Sequence, residues 1–101
     1  MILEVAEIDI RKGQAREFET AMNEALGLLA QSNGFRDARL FRSHEVGDRY
    51  RLFVTWDRIE DHVIGWQNSE GFKRWRLLLL KHFASIPNVE HMKLVMERPG
   101  N

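Results

Sequence analysis

The first ten residues, MILEVAEIDI, constrain the fold more than any other stretch. In their second half Ile8 and Ile10 fall on one side of an extended chain, and Glu7 and Asp9 on the other. That is the period-2 pattern of a strand. In the first half Leu3 and Val5 oppose Ile2 and Ala6, so both sides are apolar. A strand apolar on both sides is generally covered on both sides. Helices can cover one face, and a second copy of the chain can cover the other.

Size points the same way. A chain of 101 residues makes one domain, expected to be folded over 1–98 with a frayed tail at 99–101. Such a domain buries only roughly 60–65% of the surface its unfolded form exposes. Yet 44% of the residues are hydrophobic, and forming a homodimer buries such a surplus. The 15 basic and 15 acidic residues cancel, which speaks against a nucleic-acid or anionic-membrane binder. The absence of cysteine excludes disulfides and thiol chemistry. The apolar N-terminus is too short to span a bilayer and lacks the basic start of a signal peptide. A cytoplasmic protein with no membrane partner is the expectation.

Residues Lys12 to about Gln31 read as a helix with the stripe Phe18, Met22, Ala25 and Leu29. Asn33-Gly34 is its stop signal. Phe35–His44 and Arg49–Trp56 read as a hairpin, and Arg36, Arg39 and Arg42 mark the first of these strands as an edge. Asp57 with Glu60 suggests a capped helix carrying Ile59, His62, Val63 and Trp66 on one face. Ser69 caps another, with Phe72, Trp75, Arg76, Leu79, Leu80 and Phe83 inward. Pro87 ends helical structure, and Val89–Met96 is the last strand. The order β-α-β-β-α-α-β is an α+β, ferredoxin-like arrangement, an antiparallel sheet with helices on one face. The bare face would pair with a second sheet in a dimeric α+β barrel.

Chemistry concentrates in the C-terminal half. His62 faces inward beside Trp66, and an imidazole exchanges protons near neutrality. Trp56, Trp66 and Trp75 can stack on a planar substrate or fill the core. Arg76, next to Trp75, can stabilise an enolate or phenolate. His82 joins the tryptophans as a substrate-binding candidate. His44, His82, Glu90 and His91 show no metal-ligand spacing, so no metal site is expected. Phosphate-loop, dinucleotide and nucleophile-elbow motifs are lacking.

Trp56, the DHVIGW segment, NSEGFKRW and the closing VEH resemble the antibiotic biosynthesis monooxygenase family. The resemblance spans nearly the whole chain. It implies a homodimer and a cavity between sheet and helices. It also implies an oxygenase that uses no metal or flavin cofactor: a base deprotonates an electron-rich phenol, anthrone or quinol, and the carbanion reduces dioxygen. His62 and Arg76 would be the catalytic residues. A branch of the family degrades haem with an Asn, a Trp and a haem-ligating His. Trp66 matches that Trp, but Arg76 stands where the His belongs, and Ala6 and Glu7 where the Asn belongs, so haem degradation is not expected. The rival is a non-catalytic binding or interaction protein on the same scaffold. A solvent-reachable pocket holding His62 or Arg76 favours the enzyme, and a sealed core around His62 favours the rival.

Overall fold

The computed structural model describes residues Met1–Asn101. Four strands, β1 (Ile2–Asp9), β2 (Phe35–Arg42), β3 (Arg49–Trp56) and β4 (Asn88–Met92), form one sheet in the order β2-β3-β1-β4. Every pairing is antiparallel. Helices α1 (Ala15–Leu29) and α2 (Glu70–Leu79) pack on one face. This is the expected ferredoxin-like α+β arrangement, and the arginine-bearing β2 is an edge strand.

The pattern of β1 decides which groups meet the helices. Glu4, Ala6, Ile8 and Ile10 are buried on the helix side. On β3, Val54, Leu52 and Tyr50 lie opposite Glu4, Ala6 and Ile8, Trp56 lies opposite Ile2, and the four complete the sheet side of the core. From α1 come Phe18, Met22, Ala25 and Leu29, the stripe read from the sequence, and from α2 comes Leu79. The other sheet face carries Leu3, Val5 and Phe53 with Phe41 on β2, whose ring meets Phe53 edge-on at 5.4 Å. Phe41 remains 54% exposed, so this face is bare in the single chain. No helix is long and apolar enough to cross a membrane.

Three local expectations need correction. Asp57 does not cap a helix through Glu60. It pairs with Arg36, and the chain turns through Asp61, whose carboxylate accepts the Arg58 amide at 3.2 Å. The helix that follows is a short π-helix, Asp61–Trp66, in which the Gln67 amide reaches back five residues to the His62 carbonyl. The last strand stops at Met92, because β1 offers it partners only from Leu3 to Glu7. Leu94, Val95 and Met96 run on exposed.

Two features hold the π-helix in place. Gly34 has φ of +80°, and a Cβ there would overlap the Asp61 side chain, so only glycine lets this turn approach. Ser69 caps α2 as expected, its hydroxyl accepting the Phe72 amide at 3.1 Å.

Candidate functional site

Between the sheet and the pair formed by the π-helix and α2 lies a cavity of about 580 Å³. That volume suits a small-molecule ligand. Its walls are mainly apolar: Ala6, Ile8 and Leu52 from the sheet, Trp66 from the π-helix, and Phe72 and Trp75 from α2. Trp66 meets Phe72 and Trp75 edge-on, each at 5.7 Å. A side chain at position 71 would crowd Trp66, so Gly71 permits this packing.

The polar groups at the inner end come from four separate elements. Glu4 is turned inward by the alternation of β1 and is only 7% exposed. Trp56 Nε1 donates to Glu4 Oε1 at 3.0 Å. His62 Nε2 lies 3.3 Å from the same oxygen, and His62 Nδ1 lies 2.7 Å from His91 Nε2. His91 sits directly across from Glu4 in the β1–β4 pairing. The Trp56 ring stacks on His62, with centroids 5.4 Å apart. The other carboxyl oxygen, Glu4 Oε2, has no partner in the chain. It is not sealed either, because no buried side-chain oxygen is left unpartnered and Glu4 lines the cavity.

Burial sets the charges. Removal from water pushes the Glu4 carboxyl up to about 7, although the Trp56 hydrogen bond works against the rise. Burial, and next the charge of His91, push His62 down to about 4. Near neutrality His62 is therefore a neutral ring, hydrogen-bonded through Nδ1 to His91 and lying with Nε2 against Glu4. Glu4 is a carboxyl poised between its acid and base forms, and its free oxygen faces the cavity. Of the two, Glu4 is the group whose acid and base forms interconvert near neutrality, and it is not among the candidates read from the sequence.

The other site candidates divide. His62, Trp66, Trp75 and Arg76 all line the cavity. Arg76 is exposed, and the chain's ion pairs do not use it, so it forms a free cation at the rim. Trp56 does not reach the cavity: it is fully buried behind Glu4 and orients that carboxyl instead of touching a ligand. His82 is also elsewhere. Its Nδ1 bonds the Gln14 side chain at 2.9 Å and its ring packs edge-on against Phe18, so it supports the start of α1. The cavity is reachable and is lined by both His62 and Arg76, so His62 does not sit in a sealed core.

Glu4 and His91 were missed for different reasons. Glu4 shares its parity with Ala6, Ile8 and Ile10, and a carboxylate on a buried face was the available signal. His91 had none, because its place opposite Glu4 depends on the register of two strands far apart in the sequence.

Comparison with known proteins adds a family setting. A family model described as antibiotic biosynthesis monooxygenase matches residues 1–77. YczJ, an uncharacterized protein of Bacillus subtilis (strain 168), is 31% identical over 93 residues, which is 92% of this chain and 98% of its own. A crystal structure from Bordetella bronchiseptica, described as an antibiotic biosynthesis monooxygenase, is 33% identical with a TM-score of 0.92. The match covers 94% of this chain and 97% of that one. SnoaB, a cofactor-independent oxygenase from Streptomyces nogalater, superposes with a TM-score of 0.84 over 98% of this chain and 97% of its own. At 16% identity that likeness is one of fold alone.

The raised Glu4 carboxyl makes stability depend on pH in a defined direction. Unfolded, Glu4 loses its proton near 4.5; folded, it keeps the proton to about 7. The folded state binds more protons within that window, so this contribution to stability is lost as pH rises from 4.5 to 7. Glu4→Gln cannot ionise. Its stability relative to the wild type should be lowest near pH 4.5 and should rise by on the order of 3 kcal/mol by pH 8. Chemical denaturation of both proteins at the two pH values measures this, and a difference independent of pH would show that Glu4 is not held out of water.

Proposed function

Since the chain belongs to the antibiotic biosynthesis monooxygenase family, we propose that it is a cofactor-independent monooxygenase of small, electron-rich aromatic compounds such as anthrones or quinols. The observation that carries this reading is the Glu4 carboxyl, which lines an apolar cavity with one oxygen unpartnered and is pushed up to about 7 by burial. A base of that strength is matched to neutral pH. A stabilised carbanion reacts with dioxygen without a metal or flavin, so acidifying and shielding the substrate is the main task left to the protein.

The steps balance with an anthrone as substrate. Glu4 Oε2 takes a proton from the ring methylene, leaving a carbanion delocalised into the adjoining carbonyl. Arg76 at the rim and the indole edges of Trp66 and Trp75 surround this charge and hold the ring system. The carbanion passes one electron to dioxygen, and the two radicals join in a carbon–oxygen bond. Glu4 returns its proton to the peroxide. Glu4 then takes the remaining proton from the same carbon, the oxygen–oxygen bond breaks, and the departing hydroxide takes that proton from Glu4 and leaves as water. The methylene becomes a carbonyl, with one oxygen atom in the product and the other in water. His62 stays neutral throughout and supports the carboxylate. The apolar walls keep competing water from the carbanion.

Oxygen uptake with a panel of anthrones and hydroquinones tests the proposal. The wild type should consume oxygen with at least one of them faster than the buffer does. Glu4→Gln should slow turnover by about 10²–10⁴-fold, as loss of a general base does. Ligand binding with no uptake by the wild type would favour a binding protein on this scaffold.

The active form in this reading is a homodimer joined through the bare sheet face around Val5, Phe41 and Phe53. Those rings are unfavourable in water, and an obligate interface of this type buries about 2,000 Å² or more. Sedimentation at micromolar concentration should show a dimer, and Phe53→Glu should yield monomer. A wild-type monomer would remove the interface.

A further inference from the structure

His91 lies outside the cavity, yet it completes the hydrogen bonding of the ring that contacts Glu4. One nitrogen of His62, Nδ1, is hydrogen-bonded to His91 Nε2 at 2.7 Å, and the other, Nε2, lies 3.3 Å from Glu4 Oε1. A neutral imidazole has one N–H and one lone pair, so the partner at one nitrogen dictates what the other presents. His91 is half-buried on the edge strand β4, and its Nδ1 has no partner in the chain. With no buried nitrogen left unpartnered, that Nδ1 is open to solvent.

We propose that His91 is a positioning residue: by donating from Nε2 to His62 Nδ1 it keeps hydrogen on His62 Nε2, and so confines proton exchange at Glu4 to the oxygen that faces the cavity. The inference rests on Glu4 being the cavity base. Protonated His91 donates from both nitrogens, and neutral His91 donates from Nε2 while water serves Nδ1. In either form His62 is left to present its Nε2 hydrogen toward Glu4 Oε1, 3.3 Å away. Trp56 Nε1 donates to the same oxygen at 3.0 Å. With the Trp56 donor on Oε1 and the His62 N–H beside it at 3.3 Å, the proton that Glu4 gains or loses sits on Oε2, where a ligand can reach it. In the opposite tautomer the lone pair of His62 Nε2 would face Glu4. The carboxyl would then hold its proton on Oε1 against the ring, turned away from the ligand. The titratable groups that face His62 are Glu4 from β1, 3.3 Å away, and His91 from β4, hydrogen-bonded to it. Asp61, beside His62 on the π-helix, is turned away to Arg58.

Two substitutions separate the donor from the rest of the side chain. His91→Gln keeps an N–H donor, and His91→Phe keeps bulk without one. The discriminating condition is pH 6, where Glu4 is largely protonated and no longer demands a donor from His62. Nitrogen-15 NMR of the ring then reports which nitrogen of His62 carries hydrogen. The wild type and His91→Gln should show hydrogen on Nε2, and His91→Phe should move it wholly or partly to Nδ1. Hydrogen on Nδ1 in the wild type, or an unchanged ring in His91→Phe, would overturn the proposal. If a variant fails to fold, the wild-type tautomer and the other variant still decide. With an anthrone as probe, His91→Phe should lower kcat about tenfold or more with little change in KM, and His91→Gln should restore most of it. A ring that responds as stated in a protein that consumes no oxygen would leave the positioning role standing and remove the oxygenase reading.

Discussion

A carboxyl group held inside the protein by an indole N–H, with an imidazole against the same oxygen, is the interaction on which the rest of the site depends. Glu4 on β1, Trp56 at the end of β3 and His62 on the π-helix meet at one oxygen atom. No two of them are neighbours in sequence, so the sheet register and the seating of the π-helix must both be right for the contact to exist. The Ile2–Trp56 pairing sets the end of β3 beside the start of β1. Gly34 lets Asp61 come close, and Asp61 begins the π-helix that carries His62 and Trp66 inward. His91 enters because β4 pairs with β1 across from Glu4. A π-helical turn is frequent at functional sites, where it re-aims side chains that a regular helix would place differently.

This arrangement works against the stability of a small domain. Burying an ionisable carboxyl and leaving a cavity of about 580 Å³ both remove favourable packing from a core of 13 residues. An aliphatic residue at position 4 would pack beside Ala6 and Ile8 at no electrostatic cost. In the proposed reading a glutamate there exchanges stability for a base, a trade common at active sites. The tryptophans divide the opposing tasks: Trp56 seals and orients the acid from behind, and Trp66 and Trp75 keep the cavity apolar.

Much of the fold was legible because local pattern and tertiary role agree. The stripe of α1, the Ser69 cap and the arginine-marked edge strand each follow from side chains within a few residues of one another. The Asp57–Glu60 cap failed because Arg36, distant in sequence, competes for Asp57. The end of β4 was overextended because strand length depends on the partner, and β1 runs out of pairing positions. In the site, His62, Trp66, Trp75 and Arg76 were found from helical register, which is local information. Trp56 was placed among the ligand contacts because nothing in the sequence tells a tryptophan that lines a cavity from one that backs it. Glu4 was hidden by its residue type: a carboxylate in a strand is ordinarily read as solvent-facing, even where its parity says otherwise.

The ionisation of Glu4 tests this account most directly. Carbon-13 NMR of its side-chain carboxyl across pH 3 to 9 follows the group in the intact protein, without a substrate. The account predicts a single midpoint near 7, with the His62 ring neutral across that transition. A midpoint near 4.5, the value for a carboxyl in water, would contradict it: Glu4 would then be solvated, and the cavity would lack the base on which the proposed chemistry depends.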